Sequence, residues 1–162
     1  MIEIPKFQGT KEEIYTLCLK QAKALISGEK NLIANLSNLS ALLNQALDQI
    51  NWVGFYLFEQ EQDELVLGPF QGLPACIRIP LGKGVCGNAA KDQKTYIVQD
   101  VNAFPGHIAC DAQSRSEIVV PLVLEGKLIG VLDIDSPNIS RFDETDKLYL
   151  EQICEALLTE IH

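Results

Sequence analysis

The fold is decided by a stretch about a third of the way along the chain, Asn51-Trp52-Val53-Gly54-Phe55-Tyr56-Leu57-Phe58. This stretch is rich in aromatic and β-branched residues and is short enough to be a single strand. Before it, apolar residues recur at helical spacing. After it, short apolar runs alternate with polar or glycine-containing turns. The sequence therefore predicts a change from helix to sheet at Asn51.

Helices are predicted at both ends of the chain. Thr10-Lys11-Glu12-Glu13 has the form of a capping box and predicts a first helix that runs up to Gly28. A second helix is predicted from about Asn31, and Asp143 is expected to open the last helix. The apolar stripe of the second helix consists of leucines at helical spacing, namely Leu32, Leu36, Leu39, Leu43 and Leu47.

Further short apolar segments predict the rest of a sheet, and Gly82 to Ala90 predicts a glycine turn that enters a short helix. The additional strands are 65–70, 75–79, 95–98, 118–124 and 127–134. We expect an α+β fold, a roughly six-stranded antiparallel sheet with the N- and C-terminal helices on one face. Loops would cover a pocket on the other face. With no internal repeat or linker, residues 1–162 are expected to form a single domain.

The composition limits the classes of partner. There are 22 acidic against 13 basic residues, a formal charge of -9, which repels nucleic acid and anionic membranes. No apolar stretch approaches the roughly 20 residues that span a bilayer, and the first residues lack the pattern of a secretory signal. We therefore expect a cytoplasmic protein. In that compartment cysteines stay reduced and more often serve redox, catalytic or metal chemistry than structural disulfides.

The five cysteines divide into two groups. Cys18 and Cys154 lie on the apolar stripes of the terminal helices, where a free cysteine behaves as a small hydrophobe. Cys76, Cys86 and Cys110 lie at strand ends or in loops of the central region. Cys86 stands at the start of a predicted helix, where the macrodipole favours a thiolate. From spacing alone, three reactive cysteines and three unrelated buried cysteines are both open interpretations.

A zinc site is the competing chemical interpretation of the same residues. His107-x-x-Cys110 together with Cys76 and Cys86 could supply four ligands. However, there is no Cys-x-x-Cys pair, and the spacing of Cys76 and Cys86 does not match that of common zinc fingers. The sequence therefore predicts no metal.

Acidic residues interrupt the last predicted strand. Asp133 and Asp135 are two residues apart and share one face, where they could bind an ammonium group or keep a proton between them. With a two-residue turn at Glu125-Gly126, Ile118 would oppose Asp133, and Glu117 would face the other side of the sheet. Glu117 can join the aspartates only if it lies just outside the ladder or if a bulge intervenes, for which Pro121 is one place.

Several motifs together resemble the free methionine-(R)-sulfoxide reductases, which are stand-alone GAF-domain proteins. The matching segments lie between about Asn51 and Asp146. They are Asn51-Trp52-Val53-Gly54-Phe55-Tyr56, Gly68-Pro69-Phe70-Gln71-Gly72, Ala75-Cys76, Gly84-Val85-Cys86-Gly87, Phe104-Pro105-Gly106-His107-Ile108-Ala109-Cys110-Asp111 and Ser116-Glu117-Ile118-Val119-Val120-Pro121-Leu122.

The resemblance implies reduction of free methionine (R)-S-oxide in a closed pocket, with thioredoxin as external reductant and no bound cofactor. It implies that Cys110 is the nucleophile, Cys76 the resolving thiol and Cys86 a third redox cysteine. Trp52 and Tyr56 would wall the methyl-sulfoxide end of the substrate. The polar groups would be held by three carboxylates, Glu117, Asp133 and Asp135. The resemblance also implies a homodimer.

Two other functions remain open at this point. One is a GAF ligand-binding sensor that regulates a partner without chemistry, against which stands the lack of an effector domain in the sequence. The other is a zinc-stabilised regulatory module, which metal analysis would test.

Overall fold

The computed structural model describes residues 6–108 and 112–162. Within these residues four α-helices, six strands and one 3-10 turn follow in chain order. They are α1 (Lys11–Ile26), α2 (Leu32–Ala46), β1 (Trp52–Glu59), β2 (Glu64–Gly72), β3 (Arg78–Pro80), α3 (Gly84–Asp92), β4 (Tyr96–Val98), the 3-10 turn (Val101–Ala103), β5 (Ser116–Leu124), β6 (Lys127–Ser136) and α4 (Glu144–Ile161). Across the described residues, no helix combines the length and apolar character that a membrane crossing requires.

The predicted helix starts are confirmed by their caps. The Thr10 side chain accepts a hydrogen bond from the Glu13 amide (3.1 Å), and Glu13 completes the capping box. The Asn31 side chain accepts from the Ala34 amide (2.9 Å), so α2 begins where the sequence placed it. Asp143 caps α4 in the same way. These caps satisfy amides that a helix cannot pair internally.

The six strands form one antiparallel sheet in the order β3-β2-β1-β6-β5-β4. Alternate residues of the strands point to opposite faces. Val53, Phe55 and Leu132 join a core with α1, α2 and α4, whereas Trp52, Tyr56 and Val131 pack on the other face with α3. The predicted α+β architecture is confirmed. The predicted third strand is shorter than expected, because residues 75–77 lie outside the ladder.

The simple hairpin register for β5 and β6 is wrong, and the alternative with a bulge near Pro121 is confirmed. Val123 opposes Leu128, as a two-residue turn requires, but Leu122 opposes Gly130, so Ile129 of β6 has no residue opposite it in the ladder. This one-residue bulge beside Pro121 shifts the remaining pairs. Glu117 consequently pairs with Asp135 instead of facing away from it.

Gly54 makes room on the pocket side of the sheet. It lies opposite Asp133 of β6 and opposite Phe70 of β2. A Cβ atom at Gly54 would stand 2.2 Å from the Phe70 Cβ, so the close approach of β2 requires a glycine here.

We therefore expect Gly54→Ala to lower the free energy of unfolding by about 1–3 kcal/mol, the usual range for overpacking. Urea denaturation measures this. In a Phe70→Gly background the same substitution should cost less, because the nearest clashing atom is gone. Part of the cost should remain, because the Phe70 Cα and the Pro69 carbonyl oxygen would still stand 2.7 and 2.9 Å from the new Cβ. A Gly54→Ala protein as stable as the wild type would contradict the steric explanation.

Candidate active site

A pocket lies between the sheet face opposite α1, α2 and α4, the start of α3, and the segments around residues 74 and 107. Its lining combines aromatic, acidic and thiol side chains with backbone of the covering segments. The lining residues are Trp52, Tyr56, Pro74, Ala75, Ile79, Lys83, Gly84, Cys86, His107, Ile108, Ser114, Glu117, Asp133 and Asp135. Six of the sequence-predicted site residues are thus brought together, while Cys76 lies in the segment that borders them.

Trp52 and Tyr56 form one wall of the pocket, as expected from their positions on the same face of β1. Their rings stack with centroids 5.9 Å apart, and Phe70 stacks on the other side of Trp52 at 5.1 Å. Such offset aromatic packing gives a rigid apolar surface.

The same two side chains hold the segment that carries Cys76. The Trp52 indole donates a hydrogen bond to the Leu73 carbonyl (3.1 Å), and the Tyr56 hydroxyl donates to the Cys76 carbonyl (2.9 Å). Cys76 is half-buried, while Leu73 and Ile77 are exposed. The wall therefore positions the rim of the pocket through main-chain atoms.

Glu117, Asp133 and Asp135 form a carboxylate cluster across β5 and β6. Glu117 and Asp133 are only 6% and 5% exposed, and Asp135 is half-buried. The Asp133 Oδ1 atom is buried and has no hydrogen-bond partner among the described residues. A buried acceptor without a partner is costly, so this atom points to a ligand that supplies a donor.

The cluster holds protons that isolated carboxyl groups would lose. Burial raises the pKa of Glu117 well above its ordinary value, and the neighbouring charges of Asp133 and Asp135 raise it further. Burial also raises the pKa of Asp133, against hydrogen bonds from Glu117 and Cys86 that lower it. Carboxyl groups this close resist ionising together, so Glu117 keeps its proton to a higher pH than an isolated glutamate does.

Cys86 lies in the first turn of α3, as predicted, but the expected thiolate is wrong. Its side chain is buried, and its Sγ lies 3.9 Å from Glu117 Oε2. Burial and the charges of Asp133, Glu117 and Asp135 raise the pKa of Cys86 well above its ordinary value. The helix dipole is outweighed, and Cys86 remains a protonated thiol.

His107, which the sequence offered only as a possible zinc ligand, lines the pocket. Its Nε2 lies 3.9 Å from Glu117 Oε1. Burial lowers the pKa of His107, and the charge of Asp133 opposes this shift. Ile108 packs against Gly84, whose positive φ of 62° leaves no room for a side chain, so this segment lies over the start of α3. The sequence feature that could have indicated a place for His107 in the site is its position three residues before Cys110.

The remaining cysteines, Cys110, Cys18 and Cys154, lie outside this pocket lining or outside the described residues. Cys110 lies outside the described residues, so its predicted role as nucleophile stays a prediction. Cys18 and Cys154 are buried free thiols within the core of α1, α2 and α4, which confirms the packing interpretation. Burial raises the pKa of Cys18 to about 12, as expected for an inert thiol.

Sequence and structure comparisons place these features among known proteins. The GAF domain family model matches residues 37–159. The free methionine-R-sulfoxide reductase of Escherichia coli K12 is 51% identical over 147 residues, covering 91% of this chain and 88% of that protein. The enzyme of the same name from Saccharomyces cerevisiae is 47% identical over 153 residues, covering 91% and 85%.

A solved structure shows the same arrangement of the chain. The free methionine-R-sulfoxide reductase of Neisseria meningitidis, determined in complex with its substrate, superposes with a TM-score of 0.96 at 46% identity. The match covers 99% of this chain and 96% of that one.

The raised pKa of Glu117 predicts a pH dependence of stability. The folded protein binds this proton more tightly than the unfolded chain does. The stabilisation is therefore complete below the ordinary glutamate pKa and is lost as pH rises towards the folded value. Each such proton contributes a slope of about 1.4 kcal/mol per pH unit between the two values.

We expect the free energy of unfolding to fall as pH rises above the ordinary glutamate pKa, and Glu117→Gln to make this decline shallower. Urea denaturation across that range measures the slope. The exposed Glu155 on α4 offers a matched control, since Glu155→Gln should leave the slope unchanged. A Glu117→Gln protein with the wild-type slope would contradict the assignment.

Proposed function

This chain belongs to the family of free methionine-R-sulfoxide reductases, GAF-domain oxidoreductases, and we propose that it reduces free methionine (R)-S-oxide in the cytosol with thioredoxin as reductant. The observation that carries the proposal is the buried carboxylate cluster beside an aromatic wall. Within this cluster, Asp133 Oδ1 has no hydrogen-bond donor among the described residues. An ammonium group and a methyl-sulfoxide group at opposite ends of one small molecule match these two features.

Binding of the substrate follows from the two halves of the pocket. The ammonium group donates to Asp133 and Asp135, a charge-assisted contact that a peptide-bound methionine lacks. The methyl-sulfoxide end packs against Trp52 and Tyr56. This division of the pocket explains selectivity for the free amino acid.

The chemical step needs a nucleophile and an acid. The Cys110 thiolate attacks the sulfoxide sulfur, and a carboxylic acid protonates the oxygen. Attack forms a bond between Cys110 Sγ and the sulfoxide sulfur, and the protonated oxygen leaves as water when the S–O bond breaks. A water molecule then attacks Cys110 Sγ and breaks the new sulfur–sulfur bond, which releases methionine and a proton and leaves Cys110 as a sulfenic acid. The sulfoxide is reduced by two electrons and the cysteine is oxidised by two. Glu117 is the acid that its surroundings favour, because burial and two neighbouring carboxyl groups keep it protonated.

Cys110 is preferred to Cys86 as the nucleophile. Cys86 is 4% exposed and surrounded by carboxyl groups that oppose a thiolate. A thiol in that environment is a poor first nucleophile. It serves better as the third redox cysteine, which reacts after another cysteine has been oxidised.

Regeneration then uses a second thiol. Condensation of the Cys110 sulfenic acid with the Cys76 thiol releases water and forms a disulfide. The dithiol of thioredoxin reduces that disulfide by exchange. The half-buried Cys76 between the exposed Leu73 and Ile77 supports this step, since an external protein can approach the rim there. As in the family that it resembles, we expect a homodimer without a bound cofactor.

The direct test is NADPH oxidation with thioredoxin, thioredoxin reductase and separated methionine sulfoxide epimers. We expect turnover with the free R epimer, and little with the S epimer or with an N-acetylated R epimer that has lost its ammonium charge. If fully reduced protein turned over none of the epimers, the catalytic proposal would fail, and binding without turnover would favour a GAF sensor.

The nucleophile is tested by Cys110→Ser, which should abolish turnover, with Cys154→Ser as the matched control that keeps it. Single-turnover formation of methionine is the stricter measurement. A burst of methionine from the Cys110→Ser protein would assign the role of nucleophile to Cys86 or Cys76 instead.

The acid is tested by Glu117→Gln. General acid catalysis contributes on the order of 10²–10⁴ to a rate, so kcat should fall by that order. Asp133→Asn should instead act mainly on KM, because it weakens the ammonium contact. A Glu117→Gln enzyme with unchanged kcat would assign the proton to another group.

A further inference from the structure

The pocket contains a set of metal-ligand atoms that the sequence did not predict. The Cys86 Sγ, a Glu117 carboxylate oxygen and an Asp133 carboxylate oxygen all lie within 4.8 Å of one another. The Cys86 Sγ to Glu117 Oε2 distance is 3.9 Å. In a tetrahedral zinc site, a thiolate and an oxygen ligand stand roughly 3.6 Å apart, given Zn–S of about 2.3 Å and Zn–O of about 2.1 Å. Small side-chain movements would bring these atoms to that separation.

Two further features point to a cation at this position. The buried Asp133 Oδ1 has no hydrogen-bond partner among the described residues and is thus available as a ligand atom. His107 Nε2 lies 3.9 Å from Glu117 Oε1 but outside the group of atoms within 4.8 Å of one another, so its side chain must shift to complete the ligand set. Sulfur, imidazole nitrogen and two carboxylate oxygens suit zinc-class ions, whereas calcium and magnesium prefer oxygen alone.

We propose that the empty substrate pocket binds a zinc-class divalent cation through Cys86, Glu117 and Asp133, with His107 as the fourth ligand. The thiol proton is released when the metal–sulfur bond forms. The ion is an inhibitor and not a cofactor, because it occupies the carboxylates that bind the substrate. This set shares only Cys86 and His107 with the zinc ligands considered from the sequence. The binding itself stands independently of the reductase activity, whereas the competition with the amino acid rests on the proposed function.

The probe is Cd²⁺, whose thiolate complexes absorb in the ultraviolet by charge transfer. The background is the full chain with Cys76→Ser and Cys110→Ser, so that Cys86 is the pocket thiol. We expect a charge-transfer band that saturates at one equivalent of Cd²⁺. Adding Cys86→Ser should abolish the band, while adding Cys154→Ser should leave it intact. A band that persists without Cys86, or no band in the background protein, would overturn the proposal.

A second variant tests the site in case the Cys86→Ser protein does not fold. Asp133→Asn keeps the shape of the side chain but removes its charge, and should weaken Cd²⁺ binding at least tenfold by the same band. An unchanged affinity would remove Asp133 from the site and overturn the four-ligand proposal.

Competition links the metal to the pocket. Free methionine should raise the Cd²⁺ concentration needed for half-saturation by the factor 1 + c/Kd, where c is the concentration of free methionine and Kd is its dissociation constant. A Cd²⁺ band in the background protein, together with no reductase activity of the fully reduced wild-type chain, would leave the metal site standing and reject the proposed function. Full reductase activity of the wild-type chain without any Cys86-dependent band would do the reverse.

Discussion

Burying Glu117 and Asp133 side by side, with Asp135 at the edge, requires protons or a cation to offset their charges. Much of the pocket's behaviour follows from this constraint. It keeps Glu117 protonated, suppresses the Cys86 thiolate and leaves an Asp133 oxygen without a donor among the described residues. A ligand with an ammonium group relieves the constraint, so the empty pocket is less favourable electrostatically than the occupied one. Conversely, the same arrangement favours any cation that enters.

The cluster exists because of a single unpaired residue in the β5–β6 ladder. Side chains alternate with a period of two, so a slip of one residue exchanges the two faces of a strand. The bulge at Ile129 lets the turn keep its two-residue geometry while Glu117 reaches the side of Asp135. On the same face, Gly54 opposes Asp133 and Gly84 accommodates Ile108, so missing side chains create the space that the carboxylates line.

The sequence predicted the architecture well, because the leucine stripe of α2 and the aromatic and β-branched run of β1 both reflect burial. Helix starts were equally predictable, since Thr10, Asn31 and Asp143 cap them through local contacts. The bulge was predictable only as an alternative, since Pro121 marks a place where the ladder can break but does not show that it breaks there. The protonation of Cys86 was mispredicted for a different reason. Its position at the start of a helix can be read from the local sequence. Its burial and the three carboxyl groups on β5 and β6 depend on the tertiary structure.

The hydrogen bonds from Trp52 and Tyr56 to the rim end on the carbonyl oxygens of Leu73 and Cys76. Main-chain acceptors are present whatever side chain a residue carries. The exposed side chains of the rim, Leu73 and Ile77, can therefore change during evolution without moving the backbone that encloses the pocket. Substitutions at these exposed positions can thus alter what the rim contacts while the interior of the pocket stays fixed.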